Sequence, residues 1–501
     1  MKIRVLDRFG KPPYNAKSTI FLTWDNWNDY SFYTLFGIMF VDNLSVIHEI
    51  GAIKIGVFGQ EEQDRVLSIG DELDSLGENY FSLGQSDMYY ANLNTLGEDT
   101  RNLILESLND IAKNEELYER AIKERVTRIS LFRTISPSTV KNQYRRIAVG
   151  GVRLTEFEFR FIAPKIRKDS SNFDLTFKVE PESFPPTNVH VLIGRNGVGK
   201  THLTNNMINT LLDKEQIQNG IFEFNNEDEN EFANLISVSF SAFDDMRPRP
   251  EIKDKTKRLQ YSYIGLKQLE STKGNSVETK SIIKLRNEFY KSLDYCRRSK
   301  KIRWKTGIEI LESDPNFKDA DIKFLIDIKD DEEFKKQTFN IFNRLSSGHK
   351  VVLLTITRLI ETLQEKSLVL IDEPEAHLHP PLLSAFVRAL SELLISTNGV
   401  AIIATHSPVI LQEVPKSCVW KLRRIGAEAI SERLITETFG ENVGVLTNEV
   451  FGLEVMNSGF YTLLDKVAQE KENYDEVLEY FGGQLGMEAK AILMTYFVPE
   501  K

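Results

Sequence analysis

The stretch VLIGRNGVGKTHL, residues 191–203, decides the fold. An apolar run typical of a strand ends at Gly194, a turn with three glycines follows, and Lys200 and Thr201 open a helix-like segment. Gly194, Gly199, Lys200 and Thr201 match the spacing G-x-x-x-x-G-K-[ST]. The sequence therefore predicts a phosphate loop, in which the glycines let backbone N–H groups point at phosphate oxygens.

The turn supplies the expected nucleotide-binding residues. Lys200 is placed to reach the β- and γ-phosphates of a nucleoside triphosphate, and the Thr201 hydroxyl is of the type that binds Mg²⁺. A plain strand-to-helix connection is the alternative, which the complete spacing and its context disfavour. The expected nucleotide-binding residues are Gly194, Arg195, Asn196, Gly197, Val198, Gly199, Lys200, Thr201 and His202.

Two later apolar runs are each followed by polar side chains. These side chains would lie at the carboxyl ends of strands, where α/β sheets bind ligands. In SLVLIDEPEAHLHP, residues 367–380, Asp372 is expected to hold Mg²⁺ through water and Glu373 to act as the general base that activates the attacking water. In GVAIIATHSPVIL, residues 399–411, His406 is expected to contact the γ-phosphate or the lytic water. A structural role is the alternative for each residue, and the phosphate loop makes that alternative the weaker one.

The segment RLSSGHK, residues 344–350, opens a further predicted helix. Ser346, Ser347 and Gly348 would place hydroxyls and free backbone amides at its start, which suits an anion. Because one phosphate loop already fills one triphosphate site, a second helix start of this kind suggests a site on another chain.

Histidine and cysteine spacing does not predict a metal site. His377 and His379 lack a third ligand candidate at a clear spacing, so loop packing is favoured over metal binding for this pair. Cys296 and Cys418 are the two cysteines, which cannot form a disulfide framework in 501 residues. A reducing cytoplasm is therefore the expected location.

The length predicts several domains, and the strand-like and helix-like runs predict an α/β fold. The net charge of −10 argues against a surface that wraps nucleic acid. The longest apolar stretches have about half the ~20 residues that cross a bilayer, and the N-terminus does not resemble a secretory signal. The expected units are an N-terminal α/β domain over 1–145, a nucleotide-binding core over 146–204 and 345–450, a mainly helical insert over 205–344 and a helical tail over 451–501.

One segment is a candidate contact for nucleic acid. KSLDYCRRSKKIRWK, residues 291–305, has seven basic residues and one acid, with Tyr295 and Trp304 available to stack on bases. A solvated helix face or a contact for an acidic partner is the alternative. The candidate residues are Arg297, Arg298, Lys300, Lys301 and Arg303.

The four motifs, taken in order, resemble those of ABC-type ATPases, and within that superfamily the soluble OLD-like ATPases of prokaryotic antiphage defence. The resemblance covers about residues 146–450. FLTWDNWNDYSFYTLFGIMF at 21–40, YSYIGL at 261–266 and TETFGEN at 436–442 are similar to the ATPase subunits of Septu and related retron systems. The resemblance implies a P-loop NTPase fold of the ABC ATPase type, with ATP and Mg²⁺ as cofactors.

The same resemblance implies a head-to-tail homodimer. Ser346, Ser347 and Gly348 of one protomer would meet the γ-phosphate held by Lys200 of the other. Asp372 would bind magnesium, Glu373 would be the catalytic base and His406 would sense the γ-phosphate. Two departures concern hydrolysis: the signature reads Leu-Ser-Ser-Gly-His rather than Leu-Ser-Gly-Gly-Gln, and SAFDDM at 241–246 has no glutamine in the usual place.

Two functions from different classes follow from these observations. The first is a sensor or regulatory ATPase of an antiphage defence complex that controls a separate effector, which by the Septu resemblance is an HNH nuclease. The chain itself shows neither a Toprim-like set of acids after His406 nor an HNH-type set of histidines. The second is an autonomous DNA-repair or DNA-end-binding ATPase, for which 291–305 would be the DNA contact. The motor of a membrane transporter is disfavoured, because no coupling membrane domain is visible.

Overall fold

Two large β-sheets, one near the N-terminus and one built from the rest of the chain, organise the molecule. The computed structural model describes residues 1–151, 154–165, 167, 170–213, 217–224, 232–240, 249, 259–269, 277–455 and 459–497. The strands are β1 (Lys2–Leu6), β2 (Thr19–Trp24), β3 (Leu35–Val41), β4 (Ile47–Val57), β5 (Glu72–Leu73), β6 (Tyr80–Gly84), β7 (Phe157–Ile162), β8 (Asp174–Val179), β9 (Val189–Ile193), β10 (Ile221–Phe224), β11 (Asn234–Ser239), β12 (Gln260–Gly265), β13 (Lys267–Leu269), β14 (Val277–Thr279), β15 (Leu368–Asp372), β16 (Val400–Thr405), β17 (Val419–Ile425) and β18 (Glu428–Glu432).

Helices pack against both sheets. The α-helices are α1 (Asp87–Asn94), α2 (Glu98–Ser107), α3 (Glu115–Ala121), α4 (Pro137–Thr139), α5 (Arg145–Ala148), α6 (Lys200–Leu212), α7 (Ile282–Ser299), α8 (Lys301–Leu311), α9 (Pro315–Ala320), α10 (Asp331–Arg344), α11 (Ser347–Thr362), α12 (Pro380–Thr397), α13 (Pro408–Leu411), α14 (Val443–Val455), α15 (Phe460–Glu470), α16 (Tyr474–Tyr480) and α17 (Met487–Phe497). Single π-helical turns lie at Thr127–Leu131 and Val140–Tyr144, and 3₁₀ turns lie at Ile217–Asn219, Ile322–Asp327, Pro374–His377 and Lys416–Cys418.

The N-terminal unit is a six-stranded sheet in the order β5-β1-β2-β3-β4-β6, and helices α1 to α5 follow it in the chain. One apolar cluster joins the sheet to these helices, with Phe36, Phe81 and Tyr90 among its buried members. The aromatic and β-branched residues of β2 to β4 pack on that core, which is why this part of the sequence forms strands.

The central sheet has seven strands in the order β12-β11-β15-β16-β9-β17-β18, parallel except for the β17–β18 pair. Every residue of β9, β15 and β16 is buried, as expected for parallel strands that are covered on both faces. The register pairs Thr405 with Ile193 and Asp372 with Ala404. The phosphate loop, the acidic pair after β15 and His406 therefore leave the sheet at one edge.

The two faces of the central sheet have different covers. Val369 and Ile371 point into an apolar cluster that contains residues of α7, α8, α11 and α12. Leu368 and Leu370, the alternate residues of the same strand, point into a second cluster that contains α6 and the three-stranded sheet β10-β7-β8. The helix that begins at Lys200 and the helix that begins at Ser347 thus pack on opposite faces of one sheet.

The segment 205–344, for which the sequence predicts a mainly helical insert, also contributes strands to three sheets. Strands β11 and β12 belong to the central sheet, where β11 pairs with β15, more than a hundred residues later in the chain. Among its described residues, the helices that follow the end of α6 are α7 to α10, in the second half of the segment. Pairing with so distant a strand is not visible in local periodicity, which is the physical reason for the difference.

The C-terminal part of the chain adds helices. Helix α14 follows β18, and α15, α16 and α17 share a small apolar cluster that includes Leu464, Val467 and Leu493. In the part of the chain that the structure describes, no helix combines the length and the apolar character that a bilayer crossing needs.

Candidate functional site

The predicted phosphate loop lies between strand β9 and helix α6. Gly197 and Gly199 have φ angles of 80° and 103°, in the left-handed region that favours glycine. A Cβ added at Gly194 would lie 2.4 Å from the Leu422 carbonyl oxygen of the adjacent strand. The glycines of the motif are therefore required by the backbone path, and α6 begins directly at Lys200 with its free N–H groups facing the loop.

The side chain of Lys200 is folded onto this loop. It is 4% exposed, and its Nζ donates to the carbonyl oxygens of Gly194 at 3.0 Å and Arg195 at 3.1 Å. Burial lowers the pKa of the Lys200 ammonium, and nearby carboxylates oppose that effect. Those carboxylates are Glu373, Glu375 and Asp372. A buried ammonium that faces a glycine cradle fits the triphosphate for which the sequence predicts this loop.

The other predicted loop residues line the same turn. Arg195 and Asn196 are exposed at its tip, whereas Val198 is 6% exposed and anchors the loop in the core. Thr201 and His202 lie in the first turn of α6. A threonine at this position offers its hydroxyl at the loop, where Mg²⁺ is expected.

Strand β15 delivers the two predicted acids to the same edge of the sheet. Asp372 is its last residue and is 2% exposed. Glu373 follows with φ 43° and ψ 59°, a left-handed conformation that costs a non-glycine residue about 1–2 kcal/mol. Its N–H donates to the Ala404 carbonyl oxygen at 2.9 Å. The strained backbone turns the Glu373 side chain out of the sheet, where it is 34% exposed.

His406 and Glu373 are neighbours at this edge. His406 Nδ1 lies 3.7 Å from Glu373 Oε1 and 3.1 Å from Glu375 Oε1. The histidine side chain is 42% exposed. The structure thus brings together Lys200, Asp372, Glu373 and His406, which the sequence places in three separate motifs.

Glu375 is a site residue that the sequence reasoning missed. Its Oε1 accepts hydrogen bonds from Thr405 Oγ1 at 2.6 Å and from the His406 N–H at 2.7 Å, and its side chain is 9% exposed. These contacts join the loop after β15 to the end of β16 and fix the position of His406. The only sequence signal is a second acid two residues after Glu373, which by itself indicates nothing.

The signature residues cap a helix of their own. Ser346 is the N-cap of α11, and its Oγ accepts a hydrogen bond from the His349 N–H at 3.4 Å. Ser346 and Ser347 are exposed, and a Cβ on Gly348 would lie 2.8 Å from the His377 carbonyl oxygen. Glycine is therefore required where the signature helix meets the loop after β15.

The two histidines of that loop have different surroundings. His377 is exposed. His379 is the N-cap of α12, and its Nδ1 accepts a hydrogen bond from the Leu382 N–H at 3.2 Å. The sequence offers no third ligand near this pair, but the structure brings Asp314 and His349 close to His379. Asp314 is a further residue that the sequence reasoning did not single out.

The basic segment 291–305 does not offer a nucleic-acid surface, and that prediction is wrong for most of its residues. Tyr295 and Trp304 are fully buried, so neither ring can stack on a base. The side chains of Arg297 and Arg298 are paired with acids, which include Asp294, Asp331 and Asp25. Lys300 Nζ donates to the carbonyl oxygens of Ile360 at 2.9 Å and Glu361 at 3.0 Å, and Arg303 pairs with Asp87 at 2.6 Å. Lys301 is exposed and pairs with Asp327.

Two of these ion pairs connect segment 291–305 to the N-terminal unit. Asp25 and Asp87 belong to the N-terminal unit, so Arg298 and Arg303 fasten that unit to the central one. The sequence could not show this, because the acids are more than 200 positions away in the chain. The basic residues Arg298 and Arg303 of this segment form a buried joint, meaning their ion pairs with Asp25 and Asp87 of the N-terminal unit.

Replacing Arg303 by Ala is expected to lower the free energy of unfolding by about 3 kcal/mol, because it removes one cation of a buried ion pair with the Asp87 carboxylate. Lys301→Ala is the matched control from the same segment, with an expected change below about 1 kcal/mol because its ion pair is exposed. Urea unfolding followed by tryptophan fluorescence measures both. Equal effects of the two substitutions would contradict the buried joint.

SAFDDM at 241–246, which the sequence analysis singles out for its missing glutamine, lies outside the described residues. The described residues of β11, the strand that leads towards it, are all buried in the central sheet next to β15.

A family model, solved structures and a relative of nearly equal length are similar to part or all of this chain. Residues 310–412 match the family described as "AAA domain, putative AbiEii toxin, Type IV TA system". Similar solved structures include a nucleotide-free ATP-binding cassette from an ABC transporter, 15% identical over 61% of this chain and 100% of that chain with a TM-score of 0.31. Another is cbiO1 from Clostridium perfringens, part of the ABC transporter complex cbiONQ, 15% identical over 60% of this chain and 94% of that chain with a TM-score of 0.30.

The α/β P-loop fold of the ABC ATPase type is confirmed, since the phosphate loop, the acidic strand and the signature helix all belong to one parallel sheet and its cover. The chain carries a P-loop ATPase domain. A whole-length relative also exists: protein ea59 of Escherichia phage lambda is 42% identical over 521 aligned positions, which cover 98% of this chain and 97% of ea59. Identity at that level over nearly the full length of both proteins shows that the chain belongs to the family of phage lambda protein ea59.

Proposed function

We propose that two copies of this chain bind ATP and Mg²⁺ head to tail between them and hydrolyse the ATP, and that the resulting closure controls a separate effector. One observation carries the dimer: the phosphate-loop helix α6 and the signature helix α11 pack on opposite faces of the central sheet. Ser346 and Ser347 are exposed at the start of α11, free to meet a nucleotide on another copy.

Each residue of the site has a chemical task in this proposal. Lys200 leaves the two loop carbonyls and donates to the β- and γ-phosphates, a stronger acceptor pair than neutral carbonyls. Glu373 accepts a proton from water as the water oxygen attacks the γ-phosphorus and ADP leaves. His406, held by Glu375, donates to the γ-phosphate beside that water.

Magnesium has a fitting site at the same edge. Thr201 and Asp372 would hold the ion, which when bound neutralises charge that develops on the phosphates. Oxygen ligands of this kind, a hydroxyl and a carboxylate, suit Mg²⁺.

The effector remains the one expected from the sequence, an HNH nuclease on a separate polypeptide in an antiphage defence complex. The name of the matched family model, which refers to a toxin of a toxin–antitoxin system, supports a role in control of a harmful activity. The autonomous DNA-repair alternative loses its main support, because residues 297, 298, 300 and 303 are engaged within the chain. Copurification of the natively encoded neighbours with this chain tests the effector, and a partnerless chain with full defence activity would contradict it.

Mixing two inactive variants tests the head-to-tail dimer. Lys200→Ala removes the phosphate contact, and Ser347→Glu places a negative charge where the γ-phosphate of the other copy would sit. A mixed dimer has one intact site, made from Lys200 of the second variant and Ser347 of the first. Random mixing gives half mixed dimers with one site each, so we expect up to about a quarter of the parental ATPase rate.

The control for this mixture is the double variant that carries both substitutions, mixed with either single variant, which forms no intact site. The measurement is phosphate release at equal total protein. If the mixture of single variants has no more activity than the sum of its components, the head-to-tail arrangement is wrong.

A further inference from the structure

A row of three hydrogen-bonded side chains lies behind the exposed signature serine. Ser346 Oγ is 2.6 Å from His349 Nδ1, and His349 Nε2 is 3.0 Å from Asp314 Oδ1. Ser346 and His349 belong to the start of α11, whereas Asp314 is the N-cap of α9. Asp314 and His349 are 2% and 5% exposed, so the row runs from the protein surface into its interior.

The partners of Asp314 settle which nitrogen of His349 carries a proton. Asp314 Oδ1 already accepts hydrogen bonds from the N–H groups of Asn316 at 2.9 Å and Phe317 at 3.3 Å. An oxygen in that role is an acceptor for the imidazole too, so His349 Nε2 donates to it. A neutral His349 then has its lone pair on Nδ1, and the Ser346 hydroxyl donates its hydrogen to that lone pair.

This arrangement opposes phosphate binding. With its hydrogen turned inward to His349, Ser346 Oγ presents lone pairs to the outside, and an anionic phosphate oxygen is repelled by them. When His349 takes up a proton from solvent, Nδ1–H becomes a donor to Ser346 Oγ and the hydroxyl hydrogen is released to point outward. Asp314 stabilises the resulting imidazolium across the 3.0 Å contact.

We infer that His349 is a positioning residue whose proton sets the direction of the Ser346 hydroxyl, and with it the grip of the signature on the γ-phosphate of ATP held by a second copy. The inference rests on the proposed head-to-tail dimer. It explains the histidine that stands where the common signature has glutamine. One proton is bound for each composite site that closes.

The groups around Ser346, His349 and Asp314 suit hydrogen bonding between these side chains better than the binding of a metal ion. In the described part of the chain, the titratable groups from other elements that contact His349 are Asp314 and His379, whose ring centroid lies 6.1 Å from that of His349. Because His379 Nδ1 accepts the Leu382 N–H, its neutral ring carries the hydrogen on Nε2, which lies 3.9 Å from Asp314 Oδ2. That tautomer makes His379 Nε2 a donor towards Asp314 and leaves it without a lone pair for an ion.

Association of the full-length Glu373→Gln protein with ATP and Mg²⁺ from pH 6 to pH 9, measured by analytical ultracentrifugation, tests the inference. The background substitution prevents turnover from obscuring the result. We expect the dimer to weaken as the pH rises, by up to about tenfold per pH unit for each composite site that binds one proton on closing. His349→Asn places an amide N–H at the position of Nδ1, so its dimer should stay tight with that slope removed. The exposed His377→Asn is the matched control and should keep the parental slope.

A second variant guards against misfolding of the first. His349→Gln places its amide at the position of Nε2, which keeps a donor for Asp314 and removes the Nδ1 acceptor of the Ser346 hydrogen, so its dimer should also be tight with the pH slope removed. If dimer affinity depends on pH in either His349 variant as it does in the parent, the role of His349 is wrong, whereas the proposed dimer still stands. If the Glu373→Gln protein shows no ATP-dependent association at any pH, the proposed dimer is wrong and the role of His349 falls with it.

Discussion

Lys200→Ala is expected to weaken ATP binding by more than about 100-fold. Each hydrogen bond from a charged donor contributes about 1.5–3 kcal/mol, and the ammonium is expected to reach two phosphates. The protein should remain folded, because burial lowers the pKa of Lys200 and a buried ammonium of this kind does not stabilise the fold. Titration of a fluorescent ATP analogue against the purified chain measures the change in affinity.

The matched control for this substitution is Lys178→Ala. Lys178 lies on β8, has a side chain that is 45% exposed, and pairs with Glu156 and Glu180 at the surface. Its loss should leave ATP affinity unchanged. Equal affinity in the Lys200 variant, the Lys178 variant and the parent would show that the loop after β9 does not hold the phosphates.

Glu373→Gln is expected to reduce ATP turnover by about 100-fold or more while ATP affinity is kept. General-base catalysis of this kind contributes about 10²–10⁴ in rate, and an amide cannot accept the proton of the attacking water. The amide also removes a negative charge that faces the γ-phosphate, so the ATP-bound dimer should accumulate. Phosphate release and size-exclusion chromatography with ATP measure the two effects.

Glu392→Gln is the control for loss of a carboxylate, since Glu392 is exposed on α12. It should leave both turnover and association unchanged. The outcome that would contradict the role of Glu373 is a variant with parental turnover. A variant that loses ATP binding together with turnover would instead place Glu373 among the binding residues.

Short-range features of this site could be predicted from the sequence because each motif encodes its own geometry. The phosphate loop requires glycines at positions 197 and 199 for backbone reasons alone, and α6 begins at the residue that the motif indicates. Buried strands that end at Asp372 and Thr405 are equally local, since continuous apolar runs predict strands that are covered on both faces. Their meeting at one sheet edge follows from parallel pairing.

Contacts between residues that are distant in the chain could not be predicted, because a local sequence pattern does not identify the contacting residue. Glu375 acts through Thr405, the last residue of the next strand of the sheet, and through His406, which follows that strand. From the sequence alone, Arg303 resembles a solvated or DNA-binding cation. The structure shows that it pairs with Asp87, which is 216 residues away in the chain. Asp314 is the same kind of case, since its role depends on His349 at the start of another helix.

The signature helix α11 has a consequence for how nucleotide state could reach the rest of the molecule. It has 16 residues, a rod of about 24 Å, with Ser346 at one end and the carbonyls that receive Lys300 at the other. Lys300 lies between Arg298 and Arg303, which pair with Asp25 and Asp87 of the N-terminal unit, so a tilt of this helix at the γ-phosphate would also strain that attachment. Thermodynamic reciprocity would then apply: a partner that binds the N-terminal unit more tightly in the proposed ATP-bound state must tighten ATP binding by the same factor by which ATP tightens the binding of that partner.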